Sequence, residues 1–179
     1  MGSSDQIQPW KLQLEAVRER LAAAGVATLA DLRSRSGVEF FDAIGNGQLP
    51  SPAISYTLDI WPVEWEHGRM VFQGQPALAH YNPLGSVHGG WIAAMLDSAV
   101  GCAIHSTLPA GKGYTTLELK VNYVRAVTTE AGPLRADGKV IHVGGQIGTA
   151  EGRLYDAAGK LYAHATTTCL IFSLPEAGV

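Results

Sequence analysis

The chain has 179 residues, 46% of them hydrophobic and 16% charged, which is enough apolar material for a sizeable core and too much for a disordered segment. The formal net charge of -3 comes without a basic run, so nothing in the composition points to nucleic acid as a partner. Two cysteines, Cys102 and Cys169, are too few for a disulfide framework and lack metal-ligand spacing; both lie in apolar runs and read as buried free thiols.

The start, MGSSDQIQPW, is polar and has no apolar core of a secretory signal. It begins Met-Gly, but Gln6 stands where N-myristoylation needs Ser or Thr. Leu14, Val17 and Leu21 then repeat at helical spacing, with Gly25 as punctuation. Thr28 followed by Asp31 is a helix start. Ser36 with Glu39 is a capping box leading into Phe40, Phe41 and Ile44, and Gly45-Asn46-Gly47 stops that helix. The stretch around Pro50 and Pro52 reads as a connector. The expected division is residues 1–50 as a helical extension and connector, and 51–179 as the main domain.

From about Tyr56 the apolar period becomes two, which predicts a pair of strands around a turn at His67-Gly68. Residues 115–127 alternate, with Leu117, Leu119, Val121 and Tyr123 on one face and Glu118, Lys120 and Asn122 on the other. Three further strands follow, separated by turns at Gly144-Gly145 and at 156–159. His142 and His164 fall within them as packing or surface residues. The fold class is therefore α+β: antiparallel strands with one long helix, Gly89 to about Ser106, inserted after the second strand.

That helix is apolar on nearly every face and so must be covered all round, by a curled sheet and by something else, such as a second subunit. The longest uninterrupted apolar run, Trp91 to Leu96, is too short to span a bilayer, and the chain is expected to be cytoplasmic. Two features are out of place in a plain core helix. Gly89 and Gly90 bare the first backbone N–H groups, which have no intrahelical acceptor and sit at the positive end of the helix dipole, a place for a carbonyl oxygen or oxyanion. Asp97 puts a carboxylate in the apolar run. Eight residues separate Gly89 from Asp97, about 12 Å along a helix at about 1.5 Å per residue. One chain cannot bring both to the same carbonyl. Two such helices antiparallel across a two-fold axis can, and would form two equivalent composite sites.

Asn82, Gly85, Val87-His88-Gly89-Gly90 and Leu96-Asp97, followed by TTLELKVNYVR and DAAGKLYAHATTTCLIF, resemble the hotdog-fold acyl-CoA thioesterases. The resemblance is to the branch holding the phenylacetate-pathway enzymes and the helix-carboxylate type of 4-hydroxybenzoyl-CoA thioesterase, and covers roughly 55–172. It implies a six-stranded antiparallel sheet wrapped around the central helix, in a homodimer or homotetramer. It implies hydrolysis of an aryl or medium-chain acyl-CoA, with no metal and no cofactor, coenzyme A being part of the substrate. By the same resemblance the Gly89 N–H polarises the thioester carbonyl, His88 or Asn82 assists, and Asp97 of the other subunit is nucleophile or general base. Gly90, Thr116 and Trp91 are candidate substrate contacts, and Tyr81 and Met95 further walls of an acyl pocket. Lys112, Arg125 and Arg135 are candidates for the phosphates. No membrane or nucleic-acid partner is implied.

Two positions depart from the family pattern. Gly101 stands one turn after the acid, where relatives often carry Ser or Thr, although Ser98 follows the acid directly. VGGQ fills a turn where relatives often carry Arg. Two alternatives remain: a hydratase of the same fold, against which Gly85 occupies the place of the expected His, and a non-catalytic acyl-CoA binding module.

Overall fold

The computed structural model describes residues 3–176, with side chains from residue 6 onward. The Met-Gly start discounted above as an acylation site lies outside the described residues. The elements in chain order are α1 (Ser3–Arg20), β1 (Ala24–Gly25), α2 (Leu29–Arg33), α3 (Gly37–Gly45), β2 (Ser51–Pro52), α4 (Ala53–Leu58), β3 (Ile60–Glu66) and β4 (Arg69–Gly74). A 3-10 turn at Leu78–His80 leads to α5 (Gly89–His105). Then come β5 (Lys112–Tyr123), β6 (Leu134–Val143), β7 (Ile147–Asp156) and β8 (Leu161–Ser173).

Six strands make one antiparallel sheet in the order β3-β4-β6-β7-β8-β5, so β3 and β5 are its edges. The sheet curls over α5. Met95, Leu96, Ala99 and Ala103 of the helix are fully enclosed with Met70, Phe72, Leu134, Ala136, Leu154 and Ala163 of the strands. Closest approach is at Gly138 on β6, where any β-carbon would run into the Ala99 carbonyl. Only glycine lets helix and sheet backbones meet there. This is the α+β architecture of a six-stranded antiparallel sheet with a central helix and an N-terminal helix.

The extension covers the other face of the sheet. Leu14 and Val17 of α1 are buried against Trp61, Val63 and Val71. Arg135, only 5% exposed, fixes that contact. It donates to Gln73 Oε1 (2.9 Å), Glu64 Oε1 (2.8 Å) and Gln13 Oε1 (2.6 Å), and its guanidinium lies 4.2 Å from the Trp10 ring centroid. A buried arginine persists only with its donors met, and here α1 supplies Gln13 and Trp10. The short helices start where their caps are: Thr28 Oγ1 accepts the Asp31 N–H, and the Glu39 carboxylate accepts the Ser36 N–H at 2.8 Å.

Three expectations change. Helix α1 stops at Arg20, and Gly25 pairs with Pro52 in a short parallel bridge. The expected pair of strands around the turn at His67-Gly68 is present, but the first starts later than Tyr56: residues 53–58 form α4, and Asp59, left-handed at φ 51°, ends it before β3 starts at Ile60. On β5 a bulge between Thr116 and Glu118 inserts Leu117 as an extra residue, which is 58% exposed. The face toward α5 is therefore Tyr114 and Thr116 before the bulge and Leu119, Val121 and Tyr123 after it. As expected of a single curled sheet, the strands cover α5 only in part. Gly90 is exposed, and Ala93, Ala94, Asp97 and Ser98 are half-buried, forming an open strip along the helix. No helix among the described residues is long and apolar enough to cross a membrane.

Candidate active site

The start of α5 is built by the loop before it. His88 keeps an extended backbone (φ -61°, ψ 135°) and caps the helix, its Nδ1 accepting the Gly90 N–H at 2.8 Å. Its own N–H donates to the His80 carbonyl at 2.7 Å, and Val87 N–H to the Val127 carbonyl at 2.9 Å. The Gly90 amide is thus spent on the cap. The Gly89 N–H has no acceptor among the described residues. With the helix dipole behind it, this amide is the donor available to an oxyanion. Gly89 opens on a cleft of about 290 Å³ whose walls include Ser86, Tyr123 and Arg125. The Tyr123 hydroxyl donates to the Gly89 carbonyl at 3.0 Å and steadies the first turn. The sequence reading had placed Tyr123 only on the face of a strand.

Asp97 lies two turns on, half-buried in the open strip. Thr116 Oγ1 donates to its Oδ1 at 3.0 Å. The bulge at Leu117 is what turns Thr116 toward the helix. Ser98, beside the acid, bonds the Ala94 carbonyl instead (2.8 Å), as helical serines do. Because α5 is one unbroken helix from Gly89 to His105, the separation of about 12 Å between Gly89 and Asp97 along its axis stands.

Other predicted residues are placed elsewhere. Trp91 is packed in the core: it is 4% exposed, donates Nε1–H to the Leu58 carbonyl at 2.7 Å and stacks on His80 at 5.1 Å. Helical phase explains this, since 91 shares the sheet-facing side with 95. Met95 is likewise fully enclosed, and the Tyr81 hydroxyl is held by the Thr129 N–H at 2.8 Å. The Asn82 side chain organises the loop, accepting from Leu84 N–H (2.9 Å) and Ser86 N–H (3.3 Å) and donating to Ser86 Oγ (3.1 Å). Arg135 is spent under α1, and Lys112 donates to Ser173 Oγ. Of the three basic candidates, Arg125 alone borders the cleft at Gly89. His142 and His164 are exposed.

One turn past the acid, Gly101 is buried under the Tyr114 ring; a β-carbon there would lie 2.9 Å from that ring. The Tyr114 hydroxyl faces Cys102 Sγ at 3.7 Å. Burial pushes the Cys102 thiol up to about 12 and raises the Tyr114 phenol and the Cys169 thiol as well. All three stay protonated at neutral pH, so the two cysteines are not nucleophiles. Among the described residues no group of three or more His, Cys, Asp or Glu stands together as a metal site.

The thioesterase superfamily model matches residues 84–163, which include the helix start, Asp97 and Thr116. A Saccharolobus solfataricus protein provisionally named an esterase is 33% identical over 109 residues, 60% of this chain and 75% of its own length. A Halobacterium salinarum protein, also provisionally named an esterase, is 41% identical over 69 residues, 37% of this chain; the match spans only 44% of that relative. The crystal structure of a Ralstonia eutropha JMP134 protein, provisionally named a thioesterase and related to phenylacetic acid degradation, superposes with a TM-score of 0.66 at 30% identity. It covers 73% of this chain and 98% of its own.

Proposed function

The chain belongs to the thioesterase superfamily of hotdog fold, and from that premise we propose that it hydrolyses acyl-CoA thioesters at a site shared between two copies of the chain. The observation that carries this reading is the pairing of an unspent amide at Gly89 with an oriented carboxylate at Asp97 on one helix, too far apart to serve one carbonyl. A second copy, with its α5 antiparallel to the first, brings its Gly89 to Asp97. It also covers the open strip of Gly90, Ala93 and Ala94. The free edge of β5, with Leu117, Tyr123 and Val124 exposed beside it, favours the same partner.

The chemistry then needs few groups. The thioester carbonyl oxygen takes the Gly89 N–H, which stabilises the oxyanion by about 3 kcal/mol, as single donors of this kind do. Asp97 either removes a proton from the attacking water or attacks the carbonyl carbon itself, and water then opens the resulting anhydride. In both routes the C–S bond breaks, coenzyme A leaves as a thiolate and takes up a proton, and a carboxylic acid remains. Thr116 holds the Asp97 carboxylate in line. His88 and Asn82 position the Gly89 amide by fixing the cap and the loop, and Gly90 keeps the approach open. Arg125 is placed to meet the phosphates.

Thiol release from an acyl-CoA panel tests the reading, with Asp97→Asn as control. Turnover by the wild type and its loss in the variant support it; binding without turnover would leave a binding module. The hydratase alternative finds no base at Gly85, which is an exposed turn glycine at φ +85°.

A further inference from the structure

The open strip on α5 does not run the length of the helix. It passes Gly90, Ala93, Ala94, Asp97 and Ser98; at the next turn Gly101 is buried, with Cys102 half-buried beside it and its thiol facing the Tyr114 hydroxyl. What covers Gly101 is the Tyr114 ring, from the same side of β5 that presents Thr116 to Asp97. The ring has support behind it. His105 packs against Tyr114 with centroids 5.3 Å apart, and Phe40 and Phe41 of α3 pack against His105 at 5.3 and 5.2 Å. Helix α3 is itself tied to the end of α5, the Gly37 N–H donating to the Leu108 carbonyl at 2.9 Å. A cluster of four aromatic rings, three layers deep, thus covers Gly101 just beyond the acid, and its far layer belongs to the N-terminal extension.

Resting on the composite thioesterase site proposed above, we propose that Tyr114 is the specificity-determining wall of the acyl pocket, seated on Gly101 and braced by His105, Phe40 and Phe41. The coenzyme A portion leaves through the open cleft at the partner's helix start. The acyl group takes the face of α5 beside Asp97, under the Tyr114 ring. From Asp97 to Gly101 is four residues, about 6 Å of helix. That length accepts a single aromatic ring or a short chain and turns back a long one. A serine or threonine at position 101 would leave no room for the ring in this pose. The glycine and the tyrosine therefore form one device.

The test is the acyl-length profile of kcat/KM for the full-length protein. Acetyl-, butyryl-, hexanoyl-, decanoyl-, lauroyl-, benzoyl- and phenylacetyl-CoA serve as probes. Tyr114→Ala and Tyr114→Leu are measured beside the wild type, and Tyr114→Phe as the ring-retaining control, each checked for folding by circular dichroism and for assembly by sedimentation. Wild type and Tyr114→Phe should favour the aryl and short substrates. In the truncated variants the ratio of lauroyl to butyryl kcat/KM should rise at least about tenfold, the scale on which pocket shape discriminates apolar groups. A folded truncated variant with the wild-type profile would overturn the wall. So would a wild type that accepts lauroyl-CoA as readily as butyryl-CoA, which leaves the thioesterase reading standing. A wild type that releases thiol from none of the panel would overturn both. Should Tyr114→Ala fail to fold, Tyr114→Leu decides.

Discussion

Thr116 Oγ1 donates to Asp97 Oδ1 at 3.0 Å, joining an edge strand to the central helix at the one carboxylate that the helix carries. The bond exists because a bulge at Leu117 shifts the strand's phase by one residue. If it aligns the carboxylate for attack, Thr116→Val should lower kcat about tenfold with little change in KM, whereas Thr116→Ser should stay near wild type. A loss in the Ser variant beside a near-normal Val variant would mean that the methyl group, not the hydroxyl, matters at this position.

Asp97→Asn keeps the shape and the acceptor oxygen but can neither take a proton nor attack. Turnover should fall at least about a hundredfold, with an unchanged melting curve. Near-normal thiol release in this variant would remove Asp97 from the chemistry.

Most of the fold was legible because it rests on periodicity and caps. The turns that divide 134–173 into three strands, the turn at Gly68 and the Thr28 and Ser36 starts are local signals, and each reappears where the spacing puts it. Three failures had non-local causes. The first residues of the pattern from Tyr56 belong to a helix ended by Asp59, whose left-handed backbone no period reveals. Leu117 follows the alternation yet is pushed out by a bulge. Arg135 reads as one more surface base, although Gln13 and Trp10, more than a hundred positions earlier, bury it. At the site, the composition of the helix named Gly89 and Asp97. The partners Thr116 and Tyr123 depend on which face of β5 meets the helix, and the core role of Trp91 depends on the helix's rotation against the sheet.

The Arg135 cluster makes a stability prediction. Arg135→Ala leaves Gln73 Oε1 and Gln13 Oε1 without this donor, takes from Glu64 one of its two arginine partners (Arg69 remains) and strips the Trp10 ring of its cation. Unfolding free energy in a urea titration should drop by about 3 kcal/mol, in the range for breaking a buried charged network. A loss below about 1 kcal/mol would mean that α1 is held by Leu14 and Val17 alone.

His105 sets a pH dependence. Its burial among Phe40, Phe41 and Tyr114 lowers its pKa from 6.5 to about 4. Between these values the unfolded chain binds a proton that the folded chain refuses. Stability is therefore fully present above pH 6.5 and declines as pH falls toward 4, by a few kcal/mol at most, at about 1.4 kcal/mol per unit. Melting temperatures at pH 7 and pH 5 should differ less in His105→Leu than in the wild type. Parallel losses would show that other groups cause the acid sensitivity.

The shared site is tested most directly by mixing two defects. Gly89→Pro deletes the amide while suiting the first helical position, after a residue already extended. Asp97→Asn deletes the carboxylate function. Each alone should be inactive. Differently tagged copies of the two variants, purified as a mixed dimer, should recover about half the wild-type activity, because one of its two sites then draws an intact Asp97 from one chain and an intact Gly89 from the other. If both groups worked within a single chain, every chain of the mixed dimer would carry a defect, and no recovery would be seen.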